Sequence, residues 1–151
     1  MNGLLIALYA LLTMIFLVSL FNTLTAPMVR KGPQPRRTPV VSLLVPARDE
    51  EHTIARCLDS LCAQEYPELE IIILDDHSTD RTAAIVGDHA AADPRLRLVQ
   101  GEPLPEGWTG KNWACHQLSR EASGEILLFT DADNFHAPFA VARTVGWIEK
   151  L

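Results

Sequence analysis

The chain has 151 residues with 13 Lys or Arg and 19 Asp or Glu, which gives a formal net charge of −6 at pH 7. This balance argues against a nucleic-acid-binding protein, because phosphate-backbone binding needs clustered Lys and Arg, and the basic residues here cluster only within residues 30–37. The three cysteines form no C-x-x-C pair and lack matching His spacing, so neither a disulfide framework nor a zinc site is predicted.

The first element is an uncharged apolar run over residues 4–26. It has about 23 residues, where roughly 20 suffice to cross a bilayer as a helix. The alternative is a cleaved signal peptide, which usually has basic residues before its apolar run. No basic residue precedes this run, and Pro27 follows it directly. We therefore predict a transmembrane anchor over residues 1–26.

Four basic residues follow this anchor: Arg30, Lys31, Arg36 and Arg37. Because positive residues next to a membrane helix stay on the cytoplasmic side, we expect an inner-membrane protein whose globular part faces the cytoplasm. Residues 27–39 also contain four prolines, which cannot continue a helix and favour an extended chain. They are predicted to form a basic, stiff linker near anionic headgroups.

The remaining part, residues 40–151, alternates strand and helix patterns. Apolar runs without polar alternation predict strands buried on both faces at residues 40–45, 69–74, 96–99 and 125–130. Helical patterns occupy residues 50–63, 80–91, 111–122 and 138–150. The alternation predicts an α/β fold, an open and mostly parallel Rossmann-like sheet with helices on both faces. Ligands of such sheets bind beyond the carboxyl ends of the strands.

Acidic clusters follow three of the predicted strands. Asp131 and Asp133 come directly after the last strand, where two carboxylates separated by one residue can both reach a hard cation such as Mg²⁺ or Mn²⁺. The alternative is that Asp133 only caps the next helix. Together with the other two acidic clusters, the pair is predicted to be a metal site.

Asp75 and Asp76 are adjacent carboxylates at the end of the second predicted strand. Helix capping explains the polar residues that follow them, but it does not explain two neighbouring negative charges, whose repulsion must be offset by donors or by a ligand. A carboxylate there could accept hydrogen bonds from the imide of a uracil or from a ribose hydroxyl.

A glycine-containing loop precedes Lys111, and the sequence predicts that a helix begins at this lysine. A lysine at a helix N-terminus suits an anionic diphosphate, because the free N–H groups, the helix dipole and the ammonium all attract it. In the other interpretation, Trp108 and Trp113 are core anchors and Lys111 is a solvated helix residue. The sequence leaves both interpretations open.

Motifs within residues 41–51, 58–67, 72–80 and 122–133 resemble, in this order, the family 2 glycosyltransferases of GT-A fold. Residues 105–114 look like the subgroup of hopene-associated and carotenoid-type glycosyltransferases, whose acceptors are membrane lipids. The resemblance implies a nucleotide-diphosphate sugar as donor and a hopanoid, carotenoid or similar lipid as acceptor. It also implies association with the membrane.

The resemblance further assigns roles to single residues. Pro46, Ala47 and Glu50 would border the nucleotide pocket and Asp76 would contact the base, while Asp131 and Asp133 would hold Mg²⁺ or Mn²⁺ on the diphosphate and thereby serve catalysis. The reaction would be inverting, with a carboxylate base that lies well downstream of Asp133 in the family. We therefore expect residues 40–151 to be the donor half of the domain and the chain alone to transfer no sugar.

Three alternatives stand beside this interpretation. A nucleotidyltransferase uses an acidic metal site on a similar sheet, but usually carries a glycine-rich basic loop after the first strand, where this chain has residues 46–50. A receiver-like signalling domain could use Asp75, Asp76 and Asp131 as an acidic pocket. Such a domain does not account for the pairing of Asp131 with Asp133 or for the predicted anchor. The third alternative is a non-catalytic, membrane-tethered binding module.

Overall fold

The computed structural model describes residues 2–25 and 32–150. An N-terminal helix is followed by alternating strands and helices, with a final helix at the end of the described chain. In chain order the elements are α1 (Asn2–Thr25), β1 (Val41–Ala47), α2 (Ile54–Cys62), β2 (Leu69–Asp75), α3 (Thr82–Ala92), β3 (Leu96–Gln100), α4 (Gly110–Glu121), β4 (Ile126–Phe129) and α5 (Ala140–Ile148).

Helix α1 contains the apolar run that the sequence predicts to be helical. Its stretch Gly3–Thr25 contains an 18-residue window with a mean hydropathy of 2.7 and is long and apolar enough to cross a membrane. The predicted helix is thus confirmed, except for Ala26, which lies outside the described residues together with Arg30 and Lys31.

The four strands form one parallel sheet in the order β3-β2-β1-β4. β1 lies in the middle, with Val41 opposite Leu69 of β2 on one side and opposite Ile126 of β4 on the other. Because all four strands run in the same direction, their carboxyl ends meet at one edge of the sheet. The predicted open parallel sheet with helices on both faces is confirmed.

Each face of the sheet has its own apolar core. On the larger face, helices α2, α3 and α5 contribute Leu58, Val86 and Val145 to one buried cluster with the strands. On the other face, α4 packs Leu118 against a smaller cluster that includes Leu44 of β1. A fully buried Leu or Val contributes about 1.5–3 kcal/mol relative to an exposed one, so these two layers hold the sheet in place.

The first helix of the globular part begins later than its sequence pattern indicates. The prediction is residues 50–63, whereas α2 starts at Ile54. The backbone N–H groups of Asp49, Glu50 and Glu51 donate to side-chain oxygens in the loop after β2 and at the first residue of α3, at distances of 3.0, 2.8 and 3.0 Å. These contacts hold the chain out of helical geometry, and Asp49 has a φ of 54°. The acceptors are distant in sequence, so local periodicity could not reveal them.

A buried polar contact sets the start of β4. The carboxylate of Glu70 accepts hydrogen bonds from the Ser42 hydroxyl and from the N–H and hydroxyl of Ser123. Burial opposes ionisation of this carboxyl, but the hydrogen bonds outweigh it and lower the pKa of Glu70. The Gly124 N–H donates to the Ser42 hydroxyl oxygen at 2.8 Å. The turn before β4 is thereby fixed on β1, and with it the strand that leads to Asp131.

Candidate functional site

A cleft of about 500 Å³ opens at the carboxyl edge of the sheet. Its wall is formed by the loop after β1, the end of β2, the first turn of α4 and the residues after β4. The lining residues are Pro46, Ala47, Arg48, Glu50, Asp76, Gly110, Lys111, Ala114, Asp131, Ala132 and Asp133. The sequence-predicted site residues are therefore brought together here, with the exception of Asp75.

Asp131 and Asp133 lie at the mouth of this cleft, two residues and four residues past the end of β4. The Lys111 ammonium donates to Asp131 Oδ1 at 2.6 Å, and both side chains remain more than half exposed. The hydrogen bond to Asp131, and then the charge of that carboxylate, raise the pKa of Lys111. Lys111 is therefore a cation at neutral pH and stands directly against one of the two predicted metal ligands.

The residues around Asp131 and Asp133 fit a divalent cation that also takes oxygen ligands from a substrate. Among residues 2–25 and 32–150, no group of three or more His, Cys, Asp or Glu side chains is placed to hold a metal ion by itself, so a cation at Asp131 and Asp133 would need further ligands from substrate and water. Two exposed carboxylates match a Mg²⁺- or Mn²⁺-type site, in which phosphates and water supply the other positions. That Asp131 already accepts an ammonium shows that its oxygen is directed at a cationic partner.

Cys57 lies beneath the same loop and is buried. Its thiol donates to the Asp131 carbonyl oxygen at 3.8 Å. Burial, followed by the charges of Asp133 and Glu50, raises the pKa of Cys57 to about 11. The thiolate, which is the form that binds metals and attacks electrophiles, is thus suppressed at neutral pH. Cys57 is a packing residue in this site.

The adjacent carboxylates Asp75 and Asp76 have separate environments. Asp75 is 4% exposed and accepts the Ser78 N–H at 3.4 Å, whereas Asp76 lines the cleft and pairs with Arg48 at 3.7 Å between Oδ2 and Nη1. The mutual repulsion expected from the sequence is offset by these two different partners. Asp75 is thus buried at the end of β2, whereas Asp76 lies in the cleft wall.

The loop after β1 is held to the loop after β2 by hydrogen bonds. Asp49 Oδ1 accepts both the N–H and the hydroxyl of Thr79, at 2.7 and 3.1 Å. In the same direction, the Arg81 N–H donates to Glu51 Oε2 at 3.2 Å. These hydrogen bonds keep Glu50 and Asp76 together in the lining of one cleft.

The loop before α4 carries an aromatic cluster of Trp108, Trp113 and His116, with ring centroids 5.1–5.4 Å apart. Trp108 is 42% exposed, and the Trp113 indole N–H donates to the Glu102 carbonyl at 3.1 Å. These tryptophans therefore lie at the surface, where they tie the loop to α4, and the alternative that both are core anchors is wrong for Trp108. The loop places Gly110 and Lys111 in the cleft wall.

Residues 42–151 match the sequence profile described as Glycosyl transferase family 2. This match covers well over half of the 151 residues.

The chain belongs to glycosyl transferase family 2.

Within this family, the chain is 38% identical over 97 residues to a beta-monoglucosyldiacylglycerol synthase of Nostoc sp., and the match covers 63% of this chain and 20% of that protein. It is 34% identical over 111 residues to the 4,4'-diaponeurosporenoate glycosyltransferase of Staphylococcus haemolyticus, covering 71% of this chain and 28% of that one. The chain thus spans about a quarter of the length of these curated relatives.

Solved structures of similar proteins have the same fold. The mannosyltransferase PcManGT of Pyrobaculum calidifontis, in complex with GDP-Man and Mn²⁺, gives a TM-score of 0.69 at 30% identity over 89% of this chain and 39% of that chain. TarS of S. aureus in complex with UDP gives a TM-score of 0.63 at 29% identity over 74% of this chain and 32% of that one. The GT-A fold expected from the sequence is confirmed.

Four cleft residues received no role of their own from the sequence: Arg48, Gly110, Ala114 and Ala132. Arg48 neutralises Asp76, while Gly110 and Ala114 present the small inner face of α4 to the cleft. A signal for Arg48 existed, since it stands between Ala47 and Glu50, two residues that were assigned to the pocket. Gly110 and Ala114 carry no chemical group that a sequence motif could single out.

Proposed function

We propose that the cleft binds the nucleoside diphosphate part of a nucleotide-sugar donor, and that this chain supplies the donor-binding part of a glycosyltransferase. The observation that carries the proposal is the convergence of Asp76, Lys111, Asp131 and Asp133 on one cleft at the carboxyl edge of a parallel sheet. The solved relatives in complex with GDP-Man and with UDP support this choice of ligand.

In this proposal the two ends of the ligand meet different walls. Pro46, Ala47, Glu50 and Asp76 take the nucleoside, with Asp76 accepting hydrogen bonds from the base or the ribose. The diphosphate lies toward the N-terminus of α4, where Thr109 makes no side-chain cap among the described residues and leaves backbone N–H groups for an anion.

Asp131 and Asp133 would hold Mg²⁺ or Mn²⁺ on the diphosphate, in line with the Mn²⁺ complex of the mannosyltransferase relative. When bound, such a cation neutralises the charge that grows on the departing nucleoside diphosphate. Lys111 would then exchange its contact with Asp131 for the phosphate oxygens, since its ammonium already lies within reach of the same site. We propose an inverting transfer, for which the acceptor needs a separate carboxylate base.

We propose a membrane lipid as the acceptor. The names of two relatives, a synthase of monoglucosyldiacylglycerol and a transferase acting on diaponeurosporenoate, both denote apolar acceptors. Helix α1 is long and apolar enough to hold the domain at a bilayer, where such acceptors reside. A nucleotidyltransferase or a receiver domain has no comparable support.

Binding of nucleotides by the full chain in detergent micelles tests the proposed ligand. With Mn²⁺ present, UDP or GDP is expected to bind at least about tenfold more tightly than uridine, guanosine or inorganic diphosphate, because only the nucleoside diphosphate reaches both walls of the cleft. Isothermal titration measures these affinities. Equal affinities for a nucleoside, its diphosphate and free diphosphate would contradict the proposal.

The domain is expected to lie on the cytoplasmic face of the inner membrane, because Arg30, Lys31, Arg36 and Arg37 follow α1 and no basic residue precedes it. A periplasmic phosphatase fused after Leu151 should therefore be inactive in a bacterial host, whereas a reporter that works only in the cytoplasm should be active at the same position. The reverse pattern of activities would overturn this orientation.

A further inference from the structure

The segment before β1 is bound to α5. The carbonyl oxygen of Gly32 accepts a hydrogen bond from Arg143 Nη1 at 2.6 Å. Farther along, the two oxygens of the Glu149 carboxylate accept the backbone N–H groups of Arg36 and Arg37, at 2.6 and 2.9 Å. The segment thus runs along α5 in the direction of the helix, from Arg143 to Glu149, and is held at both ends.

Close packing in the middle of this contact depends on a glycine. Gly146 is buried in α5, and a Cβ atom at this position would collide with the Pro33 carbonyl and come within 3.1 Å of the Gln34 carbonyl carbon. Glycine is unfavourable inside a helix compared with alanine. The close approach of the Pro33 and Gln34 backbone explains why a glycine is present at this helix position.

The far end of the segment is attached to the amino edge of the sheet. Tyr66, between α2 and β2, donates its hydroxyl to the Pro39 carbonyl at 2.7 Å. Arg37 pairs at 3.4 Å with Glu125, which directly precedes β4. The segment therefore enters the domain at the edge opposite the cleft.

We infer that residues 32–39 are a docked strap rather than a free linker, and that α5 is the surface that binds them through Arg143, Gly146 and Glu149. The folded domain then includes residues 32–39, eight positions before the boundary that the sequence predicts at residue 40. The strap fixes the side of the domain from which the chain leads to α1.

This attachment limits where the cleft can lie relative to the bilayer. The roughly seven residues from Thr25 to Gly32 reach at most about 25 Å when extended. The seven residues of β1 separate the amino edge from the carboxyl edge by about 20 Å. A docked strap thus holds the amino edge of the domain within about 25 Å of the end of α1, and the cleft lies at the opposite edge of the sheet. A loose segment of residues 26–39 would nearly double this reach.

Hydrogen exchange of the full chain in lipid nanodiscs, without nucleotide, tests the strap. In the unaltered chain, the amides of Arg36 and Arg37 are expected to exchange at least about tenfold more slowly than in an unstructured peptide. Gly146→Ala should remove this protection, because its methyl group displaces Pro33. The matched control is Gly87→Ala in α3, where no atom of the described residues lies within 4 Å of the new methyl group, and it should leave both amides protected.

A second variant covers the case in which Gly146→Ala unfolds the whole domain. Glu149→Ala removes an exposed side chain beyond the last residue of α5 and takes away both acceptors of the strap amides. It should raise the exchange rates of Arg36 and Arg37 at least about tenfold while the amides of β1 stay protected. Fast exchange in the unaltered chain, or unchanged exchange in Glu149→Ala, would overturn the inference. Neither result depends on nucleotide binding.

Discussion

Asp133→Ala is expected to lower the affinity of the chain for a nucleoside diphosphate in the presence of Mn²⁺ by about 100-fold. Without the cation, the diphosphate would face Asp76, Asp131 and Asp133 in one cleft, where Lys111 and Arg48 are the positive side chains among the described lining residues. Replacement even of residues that support metal ligands typically costs 10–100-fold in metal affinity, and loss of one of two carboxylate ligands should reach the upper end. Isothermal titration with and without Mn²⁺ measures the effect.

Asp88→Ala is the matched control, since Asp88 is an exposed carboxylate on α3 and lies outside the cleft lining. It removes the same charge from the chain and should leave the Mn²⁺-dependent affinity unchanged. The metal assignment fails if Asp133→Ala binds as tightly as the unaltered chain, or if the unaltered chain binds equally well in EDTA.

Gly124→Ala is expected to destabilise the globular domain by about 2–4 kcal/mol. A Cβ atom at Gly124 would lie 2.5 Å from the Ser42 hydroxyl oxygen, 2.7 Å from the Ser42 backbone N and 2.9 Å from the Val40 carbonyl oxygen. Two of these atoms belong to the backbone and cannot rotate away. Overpacking costs about 1–3 kcal/mol, and loss of the hydrogen bond from Gly124 to Ser42 adds about 1 kcal/mol.

Tryptophan fluorescence during thermal unfolding measures this loss. Trp108, Trp113 and Trp147 all lie in the globular part, so helix α1 does not contribute to the signal. The midpoint should fall by about 10 °C. Gly87→Ala serves again as control and should raise the stability by about 0.5–1 kcal/mol, as is usual for an unhindered helix glycine. Equal midpoints for the two variants would show that Gly124 is not packed against β1.

The order and type of the elements were predictable because they depend on short-range patterns. The four apolar runs became the four strands, each within two residues of its predicted bounds. A strand buried on both faces of a parallel sheet must be apolar along its whole length, so the run itself identifies it. The acidic residues that follow such runs were then predictable as neighbours, since parallel strands bring their carboxyl ends to one edge.

The sequence could not decide which of two adjacent carboxylates enters the cleft. Asp75 and Asp76 follow the same strand, and only the packing of the loop after β2 turns Asp75 inward to Ser78 and leaves Asp76 beside Arg48. The start of α2 was missed for a related reason, because the side chains that hold Asp49 to Glu51 out of the helix come from the loop after β2 and the start of α3, about 30 residues away along the chain.

The sequence by itself determined the apolar N-terminal helix, the strand and helix alternation and which acidic residues follow the strands, because each of these depends on residues that are close together along the chain. The tertiary structure alone decided that Lys111 contacts Asp131 and that Glu149 binds the backbone of Arg36 and Arg37. These partners are 20 and more than 100 residues apart. Their contacts exist only after the apolar faces of the sheet and helices have packed, since packing fixes the positions from which such side chains reach one another.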